Sequence, residues 1–269
     1  MTTRHSIACS ISFGLLTASG ALAGLVQYNT SPGSYPNVTV ALNAEFGTTA
    51  LPPISETALS YYTVNGVGPS TVNFRFKDDH GGFLFNFGYY NVTPSLLAID
   101  TSTDAGKMAY ATQALAAGSA TLLFDDATQN PGATASISAN GGDTLGFFLI
   151  PNNTLTQFQT NPAAFALTGL GSPLRWPFFG LADANPGGED QLMSFSGTST
   201  VTGTTTSLFA WEDLTRVPGA GSDSNFSDLI FAVDGITAAP PSVPEPATFS
   251  FGLALLGASA LSRCRSKRQ

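Results

Sequence analysis

Phe209 to Val233 reads FAWEDLTRVPGAGSDSNFSDLIFAV. Two apolar runs, FAW and LIFAV, flank a segment rich in Gly, Ser and carboxylates. Short apolar runs bounded by turn residues read as strands, so this segment predicts two strands clasping an acidic loop. Glu212 and Asp213 leave the first strand, and Asp223, Asn225, Ser227 and Asp228 lead into the second. Hard oxygens gather where two strands meet, which is how a calcium site is built. Asp223-x-Asn225-x-Ser227 has the alternating oxygen spacing that opens a calcium loop, without the glycine and distal glutamate of an EF-hand. The competing reading is that these are turn-forming residues whose side chains cap local backbone. Adjacent carboxylates beside further oxygens repel one another unless a cation is present, and this favours the ion. Glu212, Asp213, Asp223, Asn225 and Asp228 are therefore candidate calcium ligands, with Asp183, Asn185, Glu189 and Asp190 of the preceding loop as a second set.

Outward from this loop, the 269 residues are 43% hydrophobic and 10% charged, with 28 glycines. That is too apolar for disorder and too poor in Lys, Glu and Arg for a helical bundle, which leaves an all-β globular protein. In Thr71-Val72-Asn73-Phe74-Arg75-Phe76-Lys77 apolar and polar residues alternate, the mark of a half-buried strand. Asp78 to Gly82 reads as a turn and Phe83 to Tyr89 as the returning strand, so the two predict a hairpin with phenylalanines paired across it. Thr144 to Pro151, nearly all apolar, predicts a central strand buried on both faces. Ala120–Phe124, Leu174–Phe179, Gln191–Phe195, Ser207–Trp211 and Leu229–Val233 supply further strands, and a Gly/Asn/Ala-rich loop follows Asp126. Asp104 to Gly118 predicts the one short helix, and Gly24 to Ser60 an edge strand near Val38–Leu42 plus loops. Frequent turn signals favour an antiparallel two-sheet sandwich, jelly-roll-like, spanning residues 24–237 as one domain.

The two ends read differently. Residues 1–23 combine a basic start (Arg4, His5), an apolar stretch from Ile7 to Leu16 and the small-residue exit Ala21-Leu22-Ala23, which predicts a secretory signal cleaved after Ala23. A Pro-rich linker at 238–242 leads to Val243-Pro244-Glu245-Pro246, then an apolar run from 247 to 261, then a basic tail at 263–268. By the positive-inside rule the body lies outside and the tail inside. Fifteen residues rise only about 22 Å against a hydrocarbon core of about 30 Å, shorter than an ordinary membrane span needs. Both cysteines, Cys9 and Cys264, fall in these end segments. Between them, residues 24–242 carry five basic and seventeen acidic side chains, net −12 against −8 for the whole chain. Such a surface suits divalent cations and not nucleic acid.

Val-Pro-Glu-Pro, the short GLALLGASAL helix and the basic terminus, in that order at the extreme end, resemble the PEP-CTERM sorting signal. The resemblance implies a Gram-negative envelope protein, held at the inner membrane as a precursor, processed by an exosortase-type enzyme and delivered to the cell surface or extracellular matrix of a bacterium that makes exopolysaccharide. GGDTLGFFLIPNN, PFFGLADANPGGEDQLMSF and the two flanks of the acidic loop, spanning 141–233, resemble a bacterial domain of unknown function, type 4114. That family ends on a run of Asp and Asn; here Asn225 stands where it often has Asp, and Ser227 where it often has Asn, so oxygen is kept while charge is lost.

Catalytic chemistry has little to start from. His80 is the one histidine of the 24–242 body and sits in a turn beside Asp78 and Asp79; no Gly-x-Ser-x-Gly elbow, zinc cluster or phosphate loop accompanies it. The carboxylate pairs Asp78-Asp79, Asp125-Asp126, Glu189-Asp190 and Glu212-Asp213 are too many to single out a glycosidase dyad. Trp176, Trp211, Tyr61-Tyr62 and Tyr89-Tyr90 are the candidates for sugar stacking. The sequence thus predicts a non-enzymatic, calcium-stabilised surface or matrix protein, with a carbohydrate-binding module as the alternative and a hydrolase as the third reading.

Overall fold

The computed structural model describes residues 36–48, 61–165, 176–214 and 225–239. The signal segment, the Val243–Pro246 motif, the apolar run 247–261 and the basic tail lie outside these residues. Among the described residues, no helix is long and apolar enough to cross a membrane.

The elements in chain order are α1 (Pro36–Phe46), β1 (Tyr62–Val64), β2 (Pro69–Asp79), β3 (Phe85–Asn91), α2 (Pro94–Leu97), α3 (Asp104–Ala114), β4 (Ala120–Asp125), β5 (Thr134–Asn140), β6 (Thr144–Pro151), α4 (Leu155–Thr160), β7 (Phe178–Phe179), β8 (Leu192–Thr198), β9 (Thr205–Trp211), β10 (Leu229–Asp234) and β11 (Ile236–Ala238). They form two antiparallel sheets, ordered β11-β1-β6-β3-β4, with β7 added on β6, and β5-β2-β10-β9-β8. The expected all-β, two-sheet architecture is therefore present. β6 and β10 take interior positions, as their unbroken apolar sequences require, and every residue of β10 is buried.

The alternation in β2 places Val72, Phe74 and Phe76 inward at no more than 1% exposure. The expected hairpin, however, does not form. β2 pairs with β5 and β10, whereas β3 pairs with β4 and β6. The turn carries the chain from one sheet to the other. Asp78 Oδ1 accepts from the Asp79 N–H at 3.1 Å and Asp79 Oδ1 from the Gly81 N–H at 3.0 Å, fixing a wide bend. The phenylalanines then meet face to face across the core: Phe76 lies 5.4 Å from Phe85, edge to face, and Phe87 stacks 4.1 Å from Phe231. A period of two fixes which face is buried and leaves the partner strand open.

Four further expectations are corrected. The Val38–Leu42 strand is part of helix α1, and α2 and α4 accompany α3, so the helix at 104–114 is one of several. Val38, Ala41, Leu42, Glu45 and Phe46 are the buried residues of α1, spaced i, i+3, i+4, i+7, i+8 as on one helical face. The glutamate within that stripe hides it from a hydrophobic reading. The segment after Asp126 contains a full strand, β5, whose Thr, Ser and Ala residues give little hydrophobic contrast. From Trp176 onward, the expected Leu174–Phe179 strand is reduced to Phe178–Phe179.

α1 covers the outer face of the second sheet, where Leu42 and Phe46 join a cluster with Phe195, Leu208, Ile230 and Ala232. Glu45, fully buried, reaches Arg75 Nη2 at 2.6 Å and Lys77 Nζ at 3.0 Å, and accepts from the Ser199 hydroxyl. Arg75 also holds Asp234 at 2.7 Å. Arg75 and Lys77 occupy the polar phase of β2, so its alternation serves two layers: rings inward, cations toward the helix. Removing one member of a buried ion group leaves the others uncompensated, at about 3–5 kcal/mol. Glu45→Ala is expected to destabilise the protein by about 3 kcal/mol, the low end because both cations keep some solvent contact. Urea unfolding checks this, and a loss under about 1 kcal/mol would reduce the network to an ordinary surface pair.

Candidate metal centre

β9 and β10 are neighbours with Leu229 opposite Trp211, so the residues just beyond that pair, Glu212 and Asp228, leave the ladder side by side. Sheet register thus converges carboxylates that are sixteen positions apart in sequence. Glu212, Asp213 and Asp228 are 1%, 4% and 8% exposed, and one ligand atom of each lies within 4.8 Å of the others. Among the described residues this is the group of three His, Cys, Asp or Glu side chains that converges so closely.

Backbone contacts hold them there. The Asp213 N–H donates to Asp228 Oδ2 at 2.9 Å, and the Glu212 N–H to the Gln191 carbonyl at 3.0 Å. The buried Gln191 side-chain amide donates to the carbonyls of Glu212 and Leu214, each at 3.0 Å. The N–H groups of His80 and Gly81 both donate to the Asp228 carbonyl at 3.2 Å. Gly81 is needed for this approach, because a Cβ there would lie 3.1 Å from Asp213 Oδ2 and 3.4 Å from Asp228 Cβ. Two residues before Asp228, Phe226 has φ 53°, an unusual backbone for a bulky side chain. Its complete burial in the cluster beneath α1 offsets that strain.

Burial drives the Asp213 carboxyl up to about 8, with the negative charges of Asp228, Glu212 and Asp79 adding to the effect. Burial likewise raises Asp79 and Asp126, which share a hydrogen bond. Asp79 stands opposite Leu229, at the same end of the second sheet as Asp228. These two aspartates were not separable in the sequence from the other acidic pairs, and only the sheet register brings Asp79 to the cluster. The donor set is oxygen throughout, which fits hard cations such as calcium or magnesium better than zinc or copper.

The other expected ligands are placed differently. Asp223 lies outside the described residues. Asn225 Oδ1 accepts from the Ser227 N–H at 2.8 Å and its hydroxyl at 2.7 Å, the local capping that competes with a ligand role. Asp183, Asn185, Glu189 and Asp190 are not gathered into one site. The buried Asn185 amide clasps the loop through Phe179 and Glu189, Asp190 Oδ1 caps the Leu192 N–H, and the exposed Asp183 offers its carbonyl to Lys107 Nζ. Four of the six aromatic candidates for sugar stacking are corrected: Trp176 and Trp211 are 0% exposed, and Tyr62 and Tyr90 are core residues, while Tyr61 and Tyr89 are partly exposed. Trp211 packs edge to face on Phe87 at 6.0 Å. His80 sits exposed with Nε2 3.0 Å from Asp78 Oδ2.

A carboxyl raised in the folded state keeps a proton that the unfolded chain has released. The folded chain then binds more protons between the unfolded value near 4 and the folded value of about 8, so its stability falls as pH rises through that window. In chelator-treated buffer the melting temperature is expected to drop from about pH 5 to pH 8, with a slope of up to about 1.4 kcal/mol per pH unit from this group. Asp213→Asn should flatten most of the slope, the Asp79–Asp126 pair leaving a smaller one of the same sign. A melting temperature that stays level or climbs across the window would show that Asp213 is ionised in the metal-free fold.

Residues 140–236 match the family model described as Domain of unknown function (DUF4114). No curated protein and no solved structure matches the chain. The matched segment contains β6 to β10 and all three clustered carboxylates. Its two interior strands find their remaining neighbours, β1 and β3 for β6 and β2 for β10, earlier in the chain. The segment thus supplies β6 and β7 of one sheet and β8, β9 and β10 of the other, and both sheets need strands from outside it.

Proposed function

We propose that the chain is an exported, non-enzymatic β-sandwich protein of the cell surface or extracellular matrix, whose acidic loop is closed by calcium and whose role is structural or adhesive within an exopolysaccharide layer. The observation that carries the calcium reading is the burial of Glu212, Asp213 and Asp228 with ligand atoms inside 4.8 Å. Three carboxylates in one buried space cost several kcal/mol unless protons or a cation neutralise them. A cation there would tie the end of β9 to the start of β10 and so brace the interior of the second sheet. The export reading rests on the ends of the sequence: the 1–23 signal pattern and the Val243–Pro246 motif with its apolar run and basic tail. An exosortase-type enzyme is the processing partner implied by that tail. The buried tryptophans weaken the carbohydrate-stacking alternative, which keeps only the partly exposed Tyr61 and Tyr89 and the ion as points of sugar contact.

Thermal melting of the full-length chain with millimolar calcium and then with chelator tests the metal. If calcium is about a hundredfold above its dissociation constant, linkage adds about 2.7 kcal/mol, a shift of several degrees. Asp228→Asn should abolish the shift, and magnesium should give a smaller one because it demands a tighter octahedron. An identical melt in calcium and chelator would remove the ion and leave the cluster held by protons. Sorting is tested separately by deleting Val243 to Gln269. Loss of surface delivery is expected, and a truncated chain that reaches the same location, with a mature mass differing by the deleted tail alone, would exclude a sorting role.

A further inference from the structure

β5 (Thr134–Asn140) is the outer strand of the second sheet, and we infer that it is a self-pairing edge through which two copies of this chain join antiparallel about Ile137. Among the described residues, β11, β4, β5 and β8 end the two strand orders, and the two-residue β7 lies off the first on β6. β11 is three residues long. β4 is irregular, carrying Leu123 as an extra residue opposite Phe87 and Gly88. β8 is buried over Leu192–Phe195. β5 has none of these protections. Its seven residues, TASISAN, pair with β2 in one unbroken register, without proline, charge or bulge. Natural edge strands of this length are ordinarily blunted by such devices.

The backbone parity of β5 defines what can join it. At one end the Phe76 N–H donates to the Ala133 carbonyl, and at the other the Gly141 N–H donates to the Gly68 carbonyl. In an antiparallel ladder the bonding direction alternates along the strand. The odd-numbered residues Ala135, Ile137 and Ala139 therefore bond to β2, and the N–H and C=O of Ser136 and Ser138 point away from the sheet. The next outward N–H, that of Asn140, is taken by Asp143 Oδ2 at 2.8 Å, which ends the open ladder.

Ala135-Ser136-Ile137-Ser138-Ala139 is a palindrome. A two-fold axis through Ile137 sets Ser136 of one copy opposite Ser138 of the other, and these are the residues whose outward groups meet no other strand among the described residues. Each such pair exchanges both backbone hydrogen bonds. Ile137 then faces its own counterpart in a non-hydrogen-bonded pair, where the chains come closest. The side chains suit this arrangement: Ala135, Ile137 and Ala139 are half-buried and pack on the core, so a second strand would cover apolar surface left at the rim. Charge points to the same edge. No charged residue lies between Asp126 and Asp143 in a chain of net charge −8, so two copies meet there with the least repulsion. The contact is isologous and closes as a dimer. Its small area places the affinity in the micromolar to millimolar range.

Sedimentation velocity of the full-length chain, with Cys9 and Cys264 changed to Ser, is expected to show a reversible monomer–dimer equilibrium that shifts with concentration. Ser136→Pro removes an N–H that faces away from β2 together with the exposed Ser136 hydroxyl bond to Asn73 Oδ1. The fold should therefore persist with a slightly lowered melting temperature, matched by Ser136→Ala, while dimerisation weakens about tenfold through two lost backbone hydrogen bonds in the proline variant alone. Ser138→Lys, which brings like charges together without altering the backbone, should weaken it as well and serves if the proline variant does not fold. Ile137→Cys in the same background should form a disulfide-linked dimer under mild oxidation, since the paired Cα atoms would lie about 4.5 Å apart. A chain that stays monomeric at every concentration and gives no Ile137→Cys dimer would overturn the inference. So would a dimer that Ser136→Pro and Ser138→Lys leave unchanged, which would place association elsewhere, as in the apolar tail. Neither result depends on calcium, so failure here is separate from failure of the metal reading.

Discussion

Phe231 stands midway along β10 with its ring centroid 4.1 Å from Phe87, 5.1 Å from Phe76, 5.3 Å from Phe124 and 6.1 Å from Phe85. These rings come from both sheets, and burying each supplies about 1.5–3 kcal/mol, with a further increment for favourable ring pairs. This contact holds the sheets together, and it also fixes the height of β10 against β3. With β10 fixed, its ladder with β9 dictates that Asp228 emerges beside Glu212 and Asp213. The carboxylates have not drifted together through mutual attraction, because each repels the others. The aromatic core presses them into one place and supplies the stability that the crowding consumes. A site made this way is strained unless protons or a cation neutralise it, so its stability responds to pH and, on the proposed reading, to calcium.

How much of this the sequence disclosed depended on whether a feature was local. The apolar runs at 144–151 and 229–234 announced interior strands because burial on both faces leaves a continuous signal. Phe74 and Phe76 were assigned correctly to an inward face by their period, yet their sheet partner was not visible, since nothing in a strand of period two names its neighbour. α1 was misread because Val38 and Val40 favour strands while Glu45 interrupts the helical stripe; the ion group that makes that glutamate a core residue comes from β2 and from Asp234. Glu212, Asp213 and Asp228 were legible because the loop that separates them is bounded by two readable strands. Asp79 and Asp126 were not, because their approach requires knowing that β2 lies beside β10 and β4 beside β3.

The charge pattern acquires a sharper meaning once the cations are located. Of the five basic residues between 24 and 242, Arg75 and Lys77 are committed to Glu45 and Asp234, and Lys107, 7% exposed, donates to the Asp183 carbonyl. Burial lowers the Lys107 ammonium, partly offset by the charges of Asp183 and Asp104. Three positive charges are thus used to tie layers and loops together and contribute little to the outer field. Since Glu45 and Asp234, the partners of Arg75 and Lys77, are negative, the pairing leaves the net charge of −12 over residues 24–242 as the field a partner meets.

That field constrains any assembly of such chains. At physiological ionic strength the screening length is about 8 Å, so two acidic faces in direct contact would still repel. A self-association surface on this molecule has to be one from which charge is missing, and among the sheet edges β5 meets that condition together with an open backbone of matching parity. The clustered carboxylates meet the opposite condition, a concentration of buried charge that protons or a cation must neutralise. If both proposals hold, the two features divide one problem between them: the same acidity that would draw cations to the β9–β10 junction would confine neutral contact to the β5 rim. In the surface layer proposed for this chain, weak pairing at a neutral edge would give local order while the acidic remainder would keep the copies from collapsing onto one another.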